Sequence, residues 1–143
     1  VVPEDHVRQI ERLAQNMFIC APHASQIAAL YAMDCKDELN NNINVYKENR
    51  KLMIKGLKEA GFSKISSPDG AFYIYADISK FCDDSLGFAN KVLKDAKVAI
   101  TPGLDFDPKN GHSTIRFSYA RSTSDIINGL VKLNTFMRNS KYI

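Results

Sequence analysis

The sequence predicts an α+β fold, a small and mostly antiparallel sheet covered by helices and preceded by two helices that stand apart from it. Three observations carry this. The elements read α-α-α-β-α-β-β-α, which is too few strands for a doubly wound sheet. Helical periodicity dominates the ends of the chain. One aromatic and β-branched run, Thr114-Ile115-Arg116-Phe117-Ser118-Tyr119, reads as a strand opening after a glycine turn at Gly111.

Pro3-Glu4-Asp5 starts the first helix, with Pro at its first position and acids in the first turn. Val7, Ile10, Leu13, Ala14 and Met17 follow at helical spacing. A second helix begins at Pro22 and runs to Met33. It is apolar almost all round, as expected of a buried helix or one at a subunit interface. From Lys36 to Ala60 one long helix is expected. Leu39, Ile43, Tyr46, Arg50, Met53 and Leu57 form its seam and Gly61 stops it. Asn40-Asn41-Asn42 predicts a bend or frayed start. Arg50 is expected to cover apolar surface with its stem and keep its head in water.

Ser66-Ser67-Pro68-Asp69-Gly70 is a turn cluster, and Ala71–Asp77 a strand. Ser85 is the expected cap of the next helix, whose apolar face is Phe88, Ala89, Val92, Leu93 and Ala96. Val98-Ala99-Ile100 reads as a short strand ended by Thr101-Pro102-Gly103, with Gly103 there to permit a positive φ. Asp105 to Gly111 is loop. The closing helix is capped by Ser122 and carries Ile126, Ile127, Leu130, Val131, Leu133 and Phe136.

Composition narrows the function classes. At 143 residues with 45% hydrophobic content, the chain is one domain in size with enough apolar material for a core. A net charge of +3 with scattered lysines makes no case for nucleic acid. Cys20, Cys35 and Cys82 lack close spacing, which suits free thiols in a reducing, cytoplasmic setting. His6, His23 and His112 are not at metal-ligand spacing. No run approaches the ~18 apolar residues of a membrane span. The opening Val1-Val2-Pro3, without an initiator Met, is what a cut inside a larger fold would leave.

Arg116 is the candidate site residue. An arginine between Ile115 and Phe117 must face a charged partner or a ligand, because burying it unpaired is costly. A guanidinium fork suits a carboxylate. From the strand alone, a structural partner and a ligand are about equally plausible.

Three motifs stand in order: Pro68-Asp69-Gly70-Ala71-Phe72-Tyr73, Val98-Ala99-Ile100-Thr101-Pro102-Gly103-Leu104-Asp105-Phe106, and Gly111 to Ala120. The ordered set resembles the C-terminal part of the fold-type I, class I/II aminotransferases, the pyridoxal 5'-phosphate enzymes of the aspartate aminotransferase type. Gln26, Ala28-Ala29-Leu30 and the closing helix extend the resemblance over nearly the whole chain.

The resemblance implies that Arg116 binds the substrate α-carboxylate. The reaction breaks a bond at Cα and goes best when that bond stands perpendicular to the cofactor ring, so a fixed carboxylate sets the torsion about Cα–N. It implies that residues 1–35 are the last helices of a large, cofactor-binding domain and 36–143 the small domain. It also implies a homodimer, amino acid and 2-oxo acid substrates, and the cofactor in the intact parent with none bound by this fragment. The family's Schiff-base lysine is expected upstream of residue 1. Ser63-Lys64 is a decoy: Gly70 falls at the right offset, but Phe72 stands where an arginine belongs. The loop also departs from the family, since Asp107 follows Phe106 where a glycine is common. The fragment alone is therefore expected to be inactive. Two other readings stay open. One is a stand-alone module holding a small acid through Arg116, and the other an interaction domain dimerising through Ala28 to Met33.

Overall fold

A computed structural model describes residues 1–140. The chain forms two compact units divided between Asn40 and Asn41. In the first, α1 (Glu4–Met17) and α2 (His23–Ala32) have no buried residue. Pro3 and Pro22 sit one position before these helices as their N-caps. Leu13, Met17, Leu30, Tyr31 and Met33 are all more than half exposed. Their apolar content makes helices without making a core of its own.

The division falls within α3 (Lys36–Glu59), which runs unbroken through Asn40-Asn41-Asn42. Gly61 ends the segment at φ 89°, a left-handed conformation that glycine adopts without a Cβ clash. The seam is graded. Leu39 and Ile43 are exposed, whereas Met53 and Leu57 are buried. Arg50 departs from the expected solvated head: its Nη1 donates to the Pro68 carbonyl at 3.0 Å. The guanidinium thereby holds the turn that precedes the sheet.

The sheet contains β1 (Tyr73–Asp77), β2 (Thr101–Pro102) and β3 (Thr114–Ser118), in the order β1-β3-β2 and antiparallel throughout. The expected strand at Val98–Ile100 is not one. The chain leaves α4 (Ser85–Ala96) through Lys97 at φ 57°. Val98 and Ile100 pack against the core without joining the ladder, and only Thr101 and Pro102 reach β3. Pro102 has no N–H to give, so its edge position is the tolerable one. Asp84 rather than Ser85 caps α4, accepting from the Gly87 N–H at 2.9 Å. Ser85 is buried within the first turn instead. Ser122 caps α5 (Thr123–Asn139) as expected, accepting from the Asp125 N–H at 3.2 Å.

One sheet face is the core face. Ile74 and Ala76 of β1 and Ile115 and Phe117 of β3 are buried on it, together with Leu57, Val92, Leu133 and Met137 from the helices. Phe62 anchors the cluster, with ring centroids 5.2 Å from Phe117 and 5.3 Å from Phe81 in edge-to-face geometry. On α4, Leu93 is half exposed, and on α5 so are Ile127 and Val131, although their spacing suited the inner face. Met137 takes the inward place instead.

Asn49 ties α3 to the end of the sheet. It is fully buried, and its Nδ2 donates to the carbonyls of Tyr119, at 3.0 Å, and Arg121, at 2.7 Å. Tyr119 is pinned a second time, its hydroxyl donating to the Ala71 carbonyl at 3.2 Å, and burial raises its pKa. Asn49→Ala should strand two carbonyls and lower unfolding stability by about 2–4 kcal/mol. Chemical denaturation checks this. A loss below about 1 kcal/mol would show that the two carbonyls do not depend on Asn49.

Candidate functional site

Strand alternation decides where Arg116 points. With Ile115 and Phe117 on the core face, Thr114, Arg116 and Ser118 must lie on the other. Arg116 stands on the central strand, opposite Tyr75 of β1 on one side and Thr101 of β2 on the other. Directly opposed residues share a face, so these two flank the guanidinium. Tyr73 and Tyr75 belong to the same face.

Two aromatic rings flank the guanidinium, and no acid among the described residues pairs with it. Its Cζ lies over the Phe106 ring, 4.1 Å from the centroid, and 5.2 Å from the Tyr73 centroid. Phe106 meets Tyr75 edge-on at 6.3 Å, and Tyr75 meets Tyr73 at 6.0 Å. Among the described residues, Arg116 has no carboxylate within ion-pair distance, and its guanidinium donates no hydrogen bond. Its Nε is buried without a partner. Native structures rarely leave such a donor unmatched. The two Nη nitrogens are not sealed in this way, so they present the open fork.

The loop between β2 and β3 positions Phe106. Here Gly103 departs from its expected role, since its φ is not positive. Space is what it provides: a Cβ on Gly103 would lie 2.0 Å from Thr114 Oγ1 and 2.7 Å from the Gly111 carbonyl oxygen. A Cβ on Gly111 would lie 2.5 Å from the Gly103 backbone. The two glycines let the ends of the loop touch. Short 3₁₀ turns, Gly103–Asp105 and Gly111–Ser113, follow from that contact.

Asp107 completes the loop. Its Oδ1 accepts from the backbone N–H groups of Lys109, at 2.9 Å, and Asn110, at 3.1 Å. These two donors, Asn110 first, hold its carboxyl below the usual value. The residue that departs from the family pattern thus closes the loop by its own side chain.

The other titratable candidates lie elsewhere. Lys64 is exposed and pairs with Asp77 at 3.4 Å, as a surface lysine does. Asp77 is also held by Ser79, which lowers its pKa. His6 pairs with Asp5 and His112 with Asp83. Cys20 and Cys35 are exposed and Cys82 is half-buried, all as free thiols. No group of three or more His, Cys, Asp or Glu side chains is set to hold a metal ion among the described residues. No helix among them is long and apolar enough to cross a membrane.

Sequence reasoning singled out Arg116 but missed Phe106 and Tyr73 as its neighbours. The signal for Tyr73 was the pairing of an aromatic strand with the arginine strand. For Phe106 there was only its place after Thr101-Pro102-Gly103.

Comparison with known proteins places this geometry in context. Residues 1–132 match the family described as Aminotransferase class I and II. A valine–pyruvate aminotransferase of Mycobacterium tuberculosis is 40% identical over 139 residues, covering 96% of this chain and 36% of that protein. A (5-formylfuran-3-yl)methyl phosphate transaminase of Methanocaldococcus jannaschii is 38% identical over 136 residues, covering 94% of this chain and 35% of that protein. A solved structure from Silicibacter pomeroyi is 62% identical with a TM-score of 0.85, covering 97% of this chain and 38% of that one. The chain thus spans about a third of the length of the curated relatives it matches.

Proposed function

The chain belongs to the class I and II aminotransferases, and on that premise we propose that it supplies the α-carboxylate-binding arginine of a pyridoxal-phosphate transaminase. In this reading residues 1–35 complete a large cofactor-binding domain and residues 36–143 form the small domain. Substrates are an amino acid and a 2-oxo acid, which exchange an amino group. The observation that carries the reading is the state of Arg116: a guanidinium on the central strand, bracketed by rings, with no acid of its own.

The fork of two Nη groups suits a carboxylate held through both oxygens. Holding both oxygens orients the Cα that follows and turns a two-body encounter into a positioned one. Phe106 and the tyrosines keep water from one side of the pair, which strengthens the attraction. Side chains in contact with the guanidinium include no amine, so they fit the substrate's acid group and not the covalent capture of pyridoxal phosphate. That capture, and the cofactor with it, belongs in this reading to sequence outside the 143 residues. Free thiols support a cytoplasmic setting.

The exposed apolar residues Leu30 of α2 and Met33 just after it support a second reading alongside the first, in which two copies associate. Sedimentation of the purified chain should then show dimer, and a monomer at all concentrations would remove this reading.

Two outcomes test the main proposal. The 143-residue chain, incubated with pyridoxal phosphate, L-valine or L-aspartate and 2-oxoglutarate, should not exceed the rate of free cofactor. In the complete protein, Arg116→Ala should weaken kcat/KM by about 2–5 kcal/mol, the range for removing one partner of a buried charge pair. The loss should be similar for amino acids with different side chains. A loss confined to dicarboxylic substrates would assign Arg116 to a side-chain carboxylate instead.

A further inference from the structure

We infer that Phe106 is a positioning residue, which holds the Arg116 guanidinium by its face so that only its edge is offered to the substrate acid. The inference rests on the assignment of Arg116 to the substrate carboxylate. It is carried by the 4.1 Å separation of Cζ from the Phe106 centroid, closer than the 5.2 Å that separates it from the Tyr73 centroid.

A planar guanidinium keeps all its donors in its plane. A ring stacked on its face therefore removes no hydrogen bond and still fixes the tilt of the plane. That matters here because Tyr73, at 5.2 Å, is the more distant of the two rings and no acid among the described residues fixes the plane. An arginine in most buried sites is oriented by a carboxylate or a carbonyl, and Arg116 has neither among the described residues. Without the ring, the long side chain would have several rotamers on an open sheet face. With it, the Nη fork is held ready before the substrate arrives, and the entropy of ordering is not drawn from binding.

The placement of Phe106 fits this role better than a core role. Its side chain is half exposed, so burial does not explain it. The ring is fixed from behind by its own loop. The Phe106 N–H donates to the Gly103 carbonyl at 2.9 Å, the loop ends touch at Gly103 and Gly111, and Asp107 ties down the following turn. Tyr75 braces one edge of the ring. A rigid loop carrying one exposed ring to the face of one unpaired arginine is a device for orientation.

The test uses the complete protein loaded with cofactor and compares Phe106→Leu, Phe106→Tyr and Arg116→Ala. L-Valine, L-aspartate and 2-oxoglutarate are the probes. Phe106→Leu keeps apolar bulk and loses the aromatic face. It should raise KM for all three probes by about tenfold, within the range of a partly desolvated cation–ring contact. Its kcat should change less than about threefold, and the visible absorbance of the bound cofactor should be unaltered. Phe106→Tyr keeps the ring and should return KM to within about twofold of the parent. An unchanged KM in Phe106→Leu, beside a large loss in Arg116→Ala, would overturn the positioning role alone. Parallel loss of kcat and cofactor absorbance in Phe106→Leu would also overturn it, since the loop would then be merely structural. If Arg116→Ala itself left KM unchanged, the assignment of Arg116 would fall and this inference with it.

Discussion

The alternation of β3 is the constraint from which the rest follows. Ile115 and Phe117 fill the core at the middle of the sheet, and their burial offers no second register. A slip of one residue would bring Arg116 inward and expose both apolar side chains. By the ordinary worth of burying an Ile or Phe, that exposure alone would cost about 3–6 kcal/mol, and an unpaired buried guanidinium would add to it. Arg116 is therefore held on the outer face by residues that never touch it. Central position does the rest, since strands on both sides restrict the backbone beneath the arginine.

Beyond the strand, the site depends on polar fastenings placed at a distance. Asn49 binds the carbonyls of Tyr119 and Arg121, just past β3. Arg50, the next residue on α3, binds the Pro68 carbonyl ahead of β1. One turn of one helix thus secures the approach to one strand and the exit from its neighbour. Tyr119 joins the two ends, its N–H donating to the Phe72 carbonyl and its hydroxyl to that of Ala71. Buried polar contacts of this kind are modest in net energy but expensive to leave half made, and so they specify one arrangement.

The two units differ in how they use apolar residues. In the second, alternating strands and helix faces converge on a common core around Phe62. In the first, α1 and α2 carry comparable apolar content with none of it buried.

Much of this was legible from residue order. Helix periodicity marked α1, α2, α3 and α5, the aromatic and β-branched runs marked β1 and β3, and the motif order pointed to the aminotransferases before any coordinates. Arg116 stood out because a lone charge in an apolar strand is costly wherever it goes. These are local properties, set by spacing along the chain. What local spacing could not decide was pairing and approach. Val98–Ile100 has strand-like residues but no neighbour to bond, Asp84 outcompetes Ser85 for the α4 cap, and Arg50 finds a carbonyl instead of water. Gly103 is needed for the nearness of Gly111, eight positions along, and not for its own φ. The company of Arg116 belongs to the same class, because Tyr73, Phe106 and Arg116 meet only when three strands and a closed loop bring them together. Sequence alone determined that an arginine would need a partner, and only tertiary packing decided that Phe106 and Tyr73, and no acid among the described residues, would lie beside it.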